Sequence, residues 1–280
     1  MTHPSNNARD RFAEAISHPD DEIDLAEAAL LLAIPQYPDL NTSHYLAKLD
    51  EIAKAVEQCG TSVAIPIHIV SSLNKVIFLD LGFRGNSENY YDPRNSYLNE
   101  VLDRRVGIPI TLSVVYMEVA RRIGFKLHGV ALPGHFIVKH CAPSAEVFID
   151  PFNAGKIMDE QGCADLLAKM SGDRVQCRPE YLAAATNKQI LTRMLANLVK
   201  IYVDRSDHGR ALAAVEWILL IDPESPAYVR DRGLLLGSMG RPNSALKELE
   251  RYLELVPDAP DAESIRDQIK RIWQIRASLN

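Results

Sequence analysis

The sequence predicts an α+β protein, and three features of the chain carry that prediction. The first third has the pattern of amphipathic helices, and short segments rich in Val, Ile and Phe follow Gly124. The rest of the chain contains an internal repeat with a helical pattern. We therefore expect a mainly helical region with a core helix packed on a small antiparallel sheet, residues 1–180, and then a helical repeat array, residues 187–280.

Composition narrows the class of protein. The chain has 280 residues, 47% hydrophobic and 24% charged, which is enough to bury a sizeable core in two domains. A net charge of −6 argues against a broad nucleic-acid surface. The opening MTHPSNNARDRF is polar, and the longest apolar run, LAEAALLLAI, is too short to span a bilayer. We expect neither a nucleic acid nor a membrane as a partner.

The cysteines are widely spaced and form no CxxC pair; they are Cys59, Cys141, Cys163 and Cys177. Thiols in this arrangement are typical of the reducing cytoplasm, and a zinc site usually takes its ligands from close pairs. The sequence therefore predicts a cytoplasmic protein with no cofactor and no bound metal.

Helices are predicted throughout the N-terminal third. Residues 21–40 open with acidic side chains suited to a helix N-terminus, and this helix should stop near Pro35 and Pro38. Residues 43–60 carry apolar side chains at helical spacing, and Pro66 suits the first position of a further helix. A polar loop and a short helix then lead to residue 104.

The stretch RRVGIPITLSVVYMEVARRIG, residues 104–124, predicts one long amphipathic helix from Pro109 to a stop at Gly124. A cysteine at its start would have a helix N-terminus to lower the pKa of the thiol. No cysteine stands there. Either another group is the nucleophile, or this is a catalytic scaffold that has lost its chemistry.

The pattern changes after this helix. Residues 126–140 and 146–155 are short, apolar and divided by turn residues, which predicts the antiparallel sheet. Helical pattern resumes near Asp159, and the looser residues 171–186 should join the two domains.

The C-terminal part repeats itself. Pro223 and Pro257 are 34 residues apart, and equivalent alanines, leucines and glutamates keep the same offset. This period, with helix–turn–helix content, is typical of the tetratricopeptide repeat. Because two repeats cannot bury both of their faces, helices predicted at 187–203 and 262–279 should cap the stack.

The runs DPRNSYLNEVLDRRVGIPITLS, LPGHFIV and VFIDPFNAG together resemble the transglutaminase-like core family. The chain is most similar to its bacterial SirB-type branch, in which tetratricopeptide repeats follow the core. The resemblance implies a papain-like fold with a Cys-His-Asp triad. In that triad the cysteine begins the core helix, the histidine lies on the next strand and the aspartate on the strand after.

Taken one residue at a time, the resemblance implies that two triad members are present. His135 falls at the histidine position, and Asp150 falls at the aspartate position, just before Pro151. The cysteine position falls on or beside Pro109, which offers no nucleophile but suits a first helical residue.

Two hydroxyls are candidates to replace the thiol. Thr111 and Ser113 follow Pro109 by two and four residues, so they are rotated from it by roughly 200° and 400°. Thr111 should therefore point away from His135, and Ser113 should return to the same side one turn deeper. Cys141, at the far end of the histidine strand, should lie roughly 20 Å from His135.

His135 and Asp150 also have a purely structural interpretation. A histidine that opens a strand after Pro-Gly is commonly just paired with a neighbouring carboxylate, and an aspartate before proline commonly starts a turn. If they pair, the carboxylate should hold the imidazole in one tautomer, and the two could grip a ligand. Two ligands fall short of a catalytic zinc site.

The polar run YYDPRNSYLNEVLDRR is a second candidate surface. Arg94, Asn95 and Asn99 could simply tie down the turn before the core helix. They could instead form a binding surface at the mouth of the cleft, with Tyr90 and Tyr91 as aromatic contacts.

Three functions follow from these patterns. The first is a non-catalytic cytoplasmic adaptor that binds a protein or peptide through the repeats or the remnant cleft. The alternative is a cysteine-independent hydrolase or acyltransferase, in which His135 is the base, Asp150 orients it, and Ser113 or water attacks. The third is a purely structural assembly module.

Overall fold

The computed structural model describes residues 4–59, 65–141, 146–171 and 175–278. The chain divides into two units, residues 1–194 and 195–280. The expected class, α+β with a helical repeat array, is confirmed. The domain bounds of 1–180 and 187–280 stay a prediction.

Helices make up most of the described part of the first unit, joined by single 3₁₀ turns and one π-helical turn, Lys75–Asp80, that continues the fourth helix. The helices are α1 (Pro4–Ser17), α2 (Leu25–Leu31), α3 (Thr42–Gln58), α4 (Pro66–Asn74), α5 (Leu98–Arg104), α6 (Pro109–Arg122), α7 (Glu160–Ser171) and α8 (Asn187–Asp204), the last of which begins in this unit.

Two of these helices differ from the sequence prediction. The pattern missed α1, which buries Ala8, Phe12 and Ile16 at four-residue spacing within an otherwise polar segment. The helix predicted from residue 21 to a stop near Pro35 and Pro38 is shorter in the structure and ends at Leu31. It begins four residues later than predicted, because the Asp24 carboxylate accepts from the Glu27 N–H at 2.9 Å and caps α2 there.

Helix α6 is the centre of the first unit. It begins at Pro109, as predicted, and the chain leaves it through Gly124 at φ +75°. It contacts α2, α3 and α5 as well as strands β3 and β4 of the sheet, so it is buried on nearly all sides. Val114, Val115 and Val119 are fully buried, and each contributes about 1.5–3 kcal/mol on burial.

The predicted small antiparallel sheet is present beside α6. Its strand order is β6-β5-β4-β3-β7, and every neighbouring pair is antiparallel. A separate parallel pair, β1–β2, which the sequence did not predict, lies just before α6. The strands are β1 (Arg84–Gly85), β2 (Val106–Gly107), β3 (His128–Val130), β4 (Ile137–Cys141), β5 (Glu146–Asp150), β6 (Lys156–Met158) and β7 (Ala184–Ala185).

A hydrogen-bonded chain ties α6 and α4 to the loop that follows β5. The Tyr116 hydroxyl donates to Asn74 Oδ1 at 2.9 Å, and Asn74 Nδ2 donates to the Gly155 carbonyl at 2.8 Å. Gly155 has φ +72°, and a Cβ there would come within 1.9 Å of Asn74 Oδ1. The loop therefore requires glycine, and its position is fixed from two helices.

The second unit contains the predicted repeat. Helices α9 (His208–Ile221) and α11 (Pro242–Leu255) each have 14 residues and start 34 residues apart, so the period read from the sequence is confirmed. Helices α10 (Pro226–Ser238) and α12 (Ala262–Ser278) pack on them in chain order. Leu279, predicted on the last helix, lies outside the described residues.

Candidate functional site

His135 and Asp150 lie side by side at the ends of neighbouring strands. The β4–β5 register pairs Val138 with Ile149, so the ladder continued by one residue sets Asp150 opposite Ile137. His135 is two residues from Ile137 and therefore faces the same side of the sheet. Its Nε2 is 2.9 Å from Asp150 Oδ2, and the side chains are only 5% and 1% exposed.

Asp150 is held by more than the imidazole. Its Oδ1 accepts from the backbone N–H groups of Phe152 at 3.0 Å and Asn153 at 3.3 Å, and Asn153 Nδ2 donates to Oδ2 at 2.7 Å. Burial alone would raise the pKa of Asp150, but the hydrogen bond and charge of His135, with the Asn153 donors, bring it below its ordinary value. The carboxylate is therefore ionised at neutral pH.

This geometry fixes the tautomer of the neutral imidazole. An ionised carboxylate only accepts, so we assign the proton to His135 Nε2 and the lone pair to Nδ1. Nδ1 has no hydrogen-bond partner among the described residues and is not fully buried. The Phe152 ring stands edge-on to the imidazole, with centroids 5.9 Å apart. The pair thus has one unused acceptor.

The start of α6, where the resemblance places a thiol, carries no nucleophile. Pro109 is buried there and has no backbone N–H. Two residues on, Thr111 is fully buried, and its hydroxyl accepts from the Ile108 N–H at 3.1 Å and donates to the Asn95 carbonyl at 2.7 Å. That hydroxyl fastens the helix start to the preceding loop.

The Ser113 hydroxyl is fully buried and donates to the Phe136 carbonyl at 3.5 Å, the outer limit of a hydrogen bond. Among the described residues neither Ser113 nor Thr111 makes a hydrogen bond to the His135 ring. A hydroxyl nucleophile needs its base in contact, and this arrangement does not supply that contact.

The cysteine thiols do not replace the missing nucleophile. Burial first, and then nearby negative groups including Asp150, raise the pKa of Cys163 to about 12. Burial is also the main cause that raises the pKa values of Cys141 and Cys177. A reactive cysteine needs a lowered pKa. Cys59 is exposed at the end of α3.

Asn95 serves the loop before α5. It is fully buried, its Oδ1 accepts from Asn86 Nδ2 at 3.2 Å, and its Nδ2 donates to the carbonyls of Asn89 at 2.8 Å and Tyr90 at 3.2 Å. The side chain therefore holds residues 86–95 in one conformation and presents no free face to a ligand.

Arg94 and Asn99, the other two polar candidates, have different surroundings. Arg94 is exposed and forms a two-pronged pair with Asp92, which is the main reason that the pKa of Asp92 is lowered. Asn99 is buried, and its Oδ1 has no hydrogen-bond partner among the described atoms; the same is true of Ser96 Oγ.

Of the two candidate tyrosines, Tyr90 is the one linked to the His135–Asp150 pair, through the ring of Phe152. Its ring lies 6.3 Å from the ring of Phe152, which also contacts His135. Burial raises the pKa of Tyr90, while the charge of Arg193 acts in the opposite direction. Tyr91 packs edge-on against Tyr90 at 5.2 Å and is 57% exposed.

Three residues of the site were missed by sequence reasoning: Phe152, Asn153 and Arg193. The first two stand in DPFNAG directly after Asp150, so a turn capped by the aspartate could have suggested them. Arg193 lies on α8, 58 residues from His135 whose carbonyl it contacts, and no local signal points to it.

In the described ranges, no group of three or more His, Cys, Asp or Glu side chains is placed to hold a metal ion. None of the described helices combines the length and the apolar character that a bilayer crossing requires.

Two protein families match the chain. Residues 43–196 match the profile of the transglutaminase-like superfamily, and residues 198–270 match that of the tetratricopeptide repeat. The first match contains the whole His135–Asp150 site, and the second contains α9 to α11.

Several known proteins are similar over most of the length. A UPF0162 protein of Xylella fastidiosa is 35% identical over 255 residues, 89% of this chain and 90% of that protein. The UPF0162 protein YchA of Escherichia coli is 28% identical over 227 residues, 80% and 84% of the two chains. A Mus musculus protein named F-box only protein 21 is 33% identical over 147 residues, which cover 50% of this chain and 22% of that protein.

Proposed function

This chain belongs to the transglutaminase-like superfamily and carries tetratricopeptide repeats behind its core, and from that premise we propose that it is a non-catalytic cytoplasmic adaptor. It binds a protein or peptide partner through the repeat array, and the remnant cleft at His135 contributes to the contact. Tetratricopeptide repeats generally mediate protein–protein interaction, which supports the first half of this proposal.

The state of the triad supports the second half. His135 and Asp150 keep a 2.9 Å hydrogen bond, yet the thiol position is Pro109 and the nearby hydroxyls of Thr111 and Ser113 donate to backbone carbonyls. A site with a base and an orienting carboxylate but no attacking group retains binding chemistry and loses acyl transfer.

One observation favours the alternative, a hydrolase in which His135 activates water. Its Nδ1, which is not fully buried, has no hydrogen-bond partner among the described residues, and the ionised Asp150 stabilises the imidazolium that proton abstraction would create. Such an enzyme would need neither a thiol nor a side-chain hydroxyl.

Turnover of an activated ester separates the two functions. We would measure p-nitrophenyl acetate hydrolysis by the full chain, its His135→Ala variant and a matched control, His140→Ala. His140 lies on β4 and bonds the Lys126 carbonyl at 3.1 Å. An adaptor should give the same slow background rate in all three proteins.

A rate that falls about tenfold or more with His135→Ala, and not with His140→Ala, would overturn the adaptor and establish the hydrolase. A hydroxyl-directed fluorophosphonate probe, applied to the same proteins, should label none of them. Labelling that requires both His135 and Ser113 would equally contradict the proposal.

A further inference from the structure

Arg193 is a half-buried cation with no carboxylate partner among the described residues. Its Nη2 donates to the carbonyls of Leu132 at 3.1 Å and His135 at 2.9 Å, and its guanidinium lies 5.9 Å from the centre of the Phe136 ring. The one other ionisable group that acts on its charge, among the described residues, is the Tyr90 hydroxyl, which is neutral at pH 7. Burial lowers the pKa of Arg193, which means that its charge is poorly solvated where it stands.

The remaining donors of this guanidinium are open. An arginine has N–H groups on Nε and Nη1 as well as Nη2. In the described structure these groups donate to no acceptor and are not fully buried, so their hydrogen-bonding capacity is unused. A half-buried cation with unused donors favours an anion, because the anion restores the solvation that burial removed.

Tyr90 brings a second donor to the same place. Its ring packs on Phe152, whose other neighbour is the imidazole of His135, and the charge of Arg193 acts on the Tyr90 hydroxyl. No described residue accepts a hydrogen bond from that hydroxyl, and the hydroxyl is not fully buried. The Phe152 ring therefore lies against both Tyr90 and the His135 imidazole, and Arg193 contacts the backbone carbonyl of the same histidine.

We propose that Arg193 and Tyr90 form a carboxylate-binding subsite beside His135, and that it takes the C-terminal carboxylate of a peptide. The carboxylate accepts from Arg193 and Tyr90, while the amide N–H of the same terminal residue donates to His135 Nδ1. A single positive charge matches a carboxylate better than a phosphate dianion. The inference rests on the proposed function, since it names the part of a peptide partner that the cleft holds.

The test is a titration of the full chain, labelled with ¹⁵N at arginine and histidine, followed by NMR. The probe is N-acetyl-dialanine, and the control ligand is the same dipeptide with an amidated C-terminus. The Arg193 side-chain resonance and the His135 ring resonances should shift with the free acid and saturate. The amide should bind at least tenfold more weakly, because it lacks the negative charge.

Matched variants assign the effect to these side chains. Tyr90→Phe keeps the ring on Phe152 and removes the hydroxyl, so the affinity should fall about fivefold. Tyr181→Phe, at a half-buried tyrosine packed on the apolar core of the sheet, should leave it unchanged. Arg193→Gln should abolish binding. Arg193 also donates to the Leu132 and His135 carbonyls, so circular dichroism checks that the Arg193→Gln variant is folded. If it is not, the result with Tyr90→Phe decides the question.

Equal shifts with the acid and the amide, or no shift with either, would overturn the subsite. Shifts with inorganic phosphate or with N-acetylglutamate diamide that exceed those with the free acid would also overturn it, because a different anion would then be the ligand. The proposed function has its own test, because His135-dependent ester turnover would contradict it. If the protein shows no such turnover and also does not bind N-acetyl-dialanine, the subsite is wrong and the proposed function stands.

Discussion

Asp150 stabilises the turn after β5 and the imidazole of His135 at once. It accepts from the backbone of Phe152 and Asn153, from the Asn153 amide and from His135. Hydrogen bonds to a buried charged group are worth about 1.5–3 kcal/mol each. The residue therefore contributes to the stability of the first unit whether or not the site binds a ligand.

The lowered pKa of Asp150 makes that contribution depend on pH. A carboxyl whose pKa is lower in the folded state stabilises the fold above its unfolded pKa, about 3.9, and the contribution is lost as pH falls through the folded pKa. We expect Asp150→Asn to lower the free energy of unfolding by about 2 kcal/mol at pH 7, and by less near pH 3, which is below the pKa of the unfolded carboxyl. Urea unfolding at the two pH values measures the difference.

Asp165→Asn is the control, because this exposed carboxylate on α7 accepts a single side-chain hydrogen bond, from Gln161 at 2.9 Å. Its effect should be small at either pH. If Asp150→Asn costs the same at pH 7 and pH 3, the charge of Asp150 does not stabilise the fold.

Among single residues, the sequence identified those whose roles follow from their neighbours in the chain or from the family resemblance. Pro109 as a first helical residue follows from local rules, and the family resemblance supplied His135 and Asp150. Arg193 could not be found, because it joins the site through His135, 58 residues away in sequence. Tyr90 was named from the sequence as an aromatic contact, but its packing against Phe152 was not predicted. Whether the candidates Arg94, Asn95 and Asn99 bind a partner stays a prediction.

Close approach of helices decides the packing of the repeat. Helices α10 and α11 meet at Gly233, where an added Cβ would lie 2.7 Å from Leu249 Cδ2 and 3.2 Å from the Leu249 backbone nitrogen. We expect Gly233→Ala to destabilise the second unit by about 1–3 kcal/mol, because the backbone must shift to admit a methyl group. Thermal unfolding followed by circular dichroism measures the loss.

Gly237 on the same helix is the matched control. A Cβ at this position would meet Ala245 at 3.8 Å, an ordinary contact, so Gly237→Ala should be neutral or stabilise by up to about 1 kcal/mol through its higher helix propensity. Equal effects of the two changes would mean that the helices do not meet at Gly233 in the way described.

Elements with long periodic patterns were predictable, and short ones were not. Helices α3, α6 and α8 and the repeat helices have apolar positions at helical spacing over three or more turns, which one window of sequence can detect. The two-residue strands β1, β2 and β7 exist only because distant segments pair with them. Helix α1 was missed because few apolar side chains define its buried face.

For the whole molecule, the order of the two parts could be predicted from the sequence. The transglutaminase-like core has a distinctive run of residues, and the helical repeat has a fixed period of 34 residues. The partner is not readable in this way. A binding surface is assembled from side chains on several helices, and its energy depends on a few exposed anchors that follow no period.

The adaptor function that we propose makes a prediction about one exposed side chain, Trp273 on α12. Its side chain is 48% exposed, and exposed tryptophans are enriched among residues that dominate binding energy. We expect Trp273→Ala to reduce recovery of a cross-linked partner from cell extract by about tenfold or more. The control is Leu79→Ala, which removes a side chain that is 78% exposed in the first unit and should leave recovery unchanged. Mass spectrometry of the cross-linked peptides should place the partner on α10 to α12. Equal recovery with the wild type and with Trp273→Ala, or cross-links confined to residues before 195, would show that the repeat array does not hold the partner.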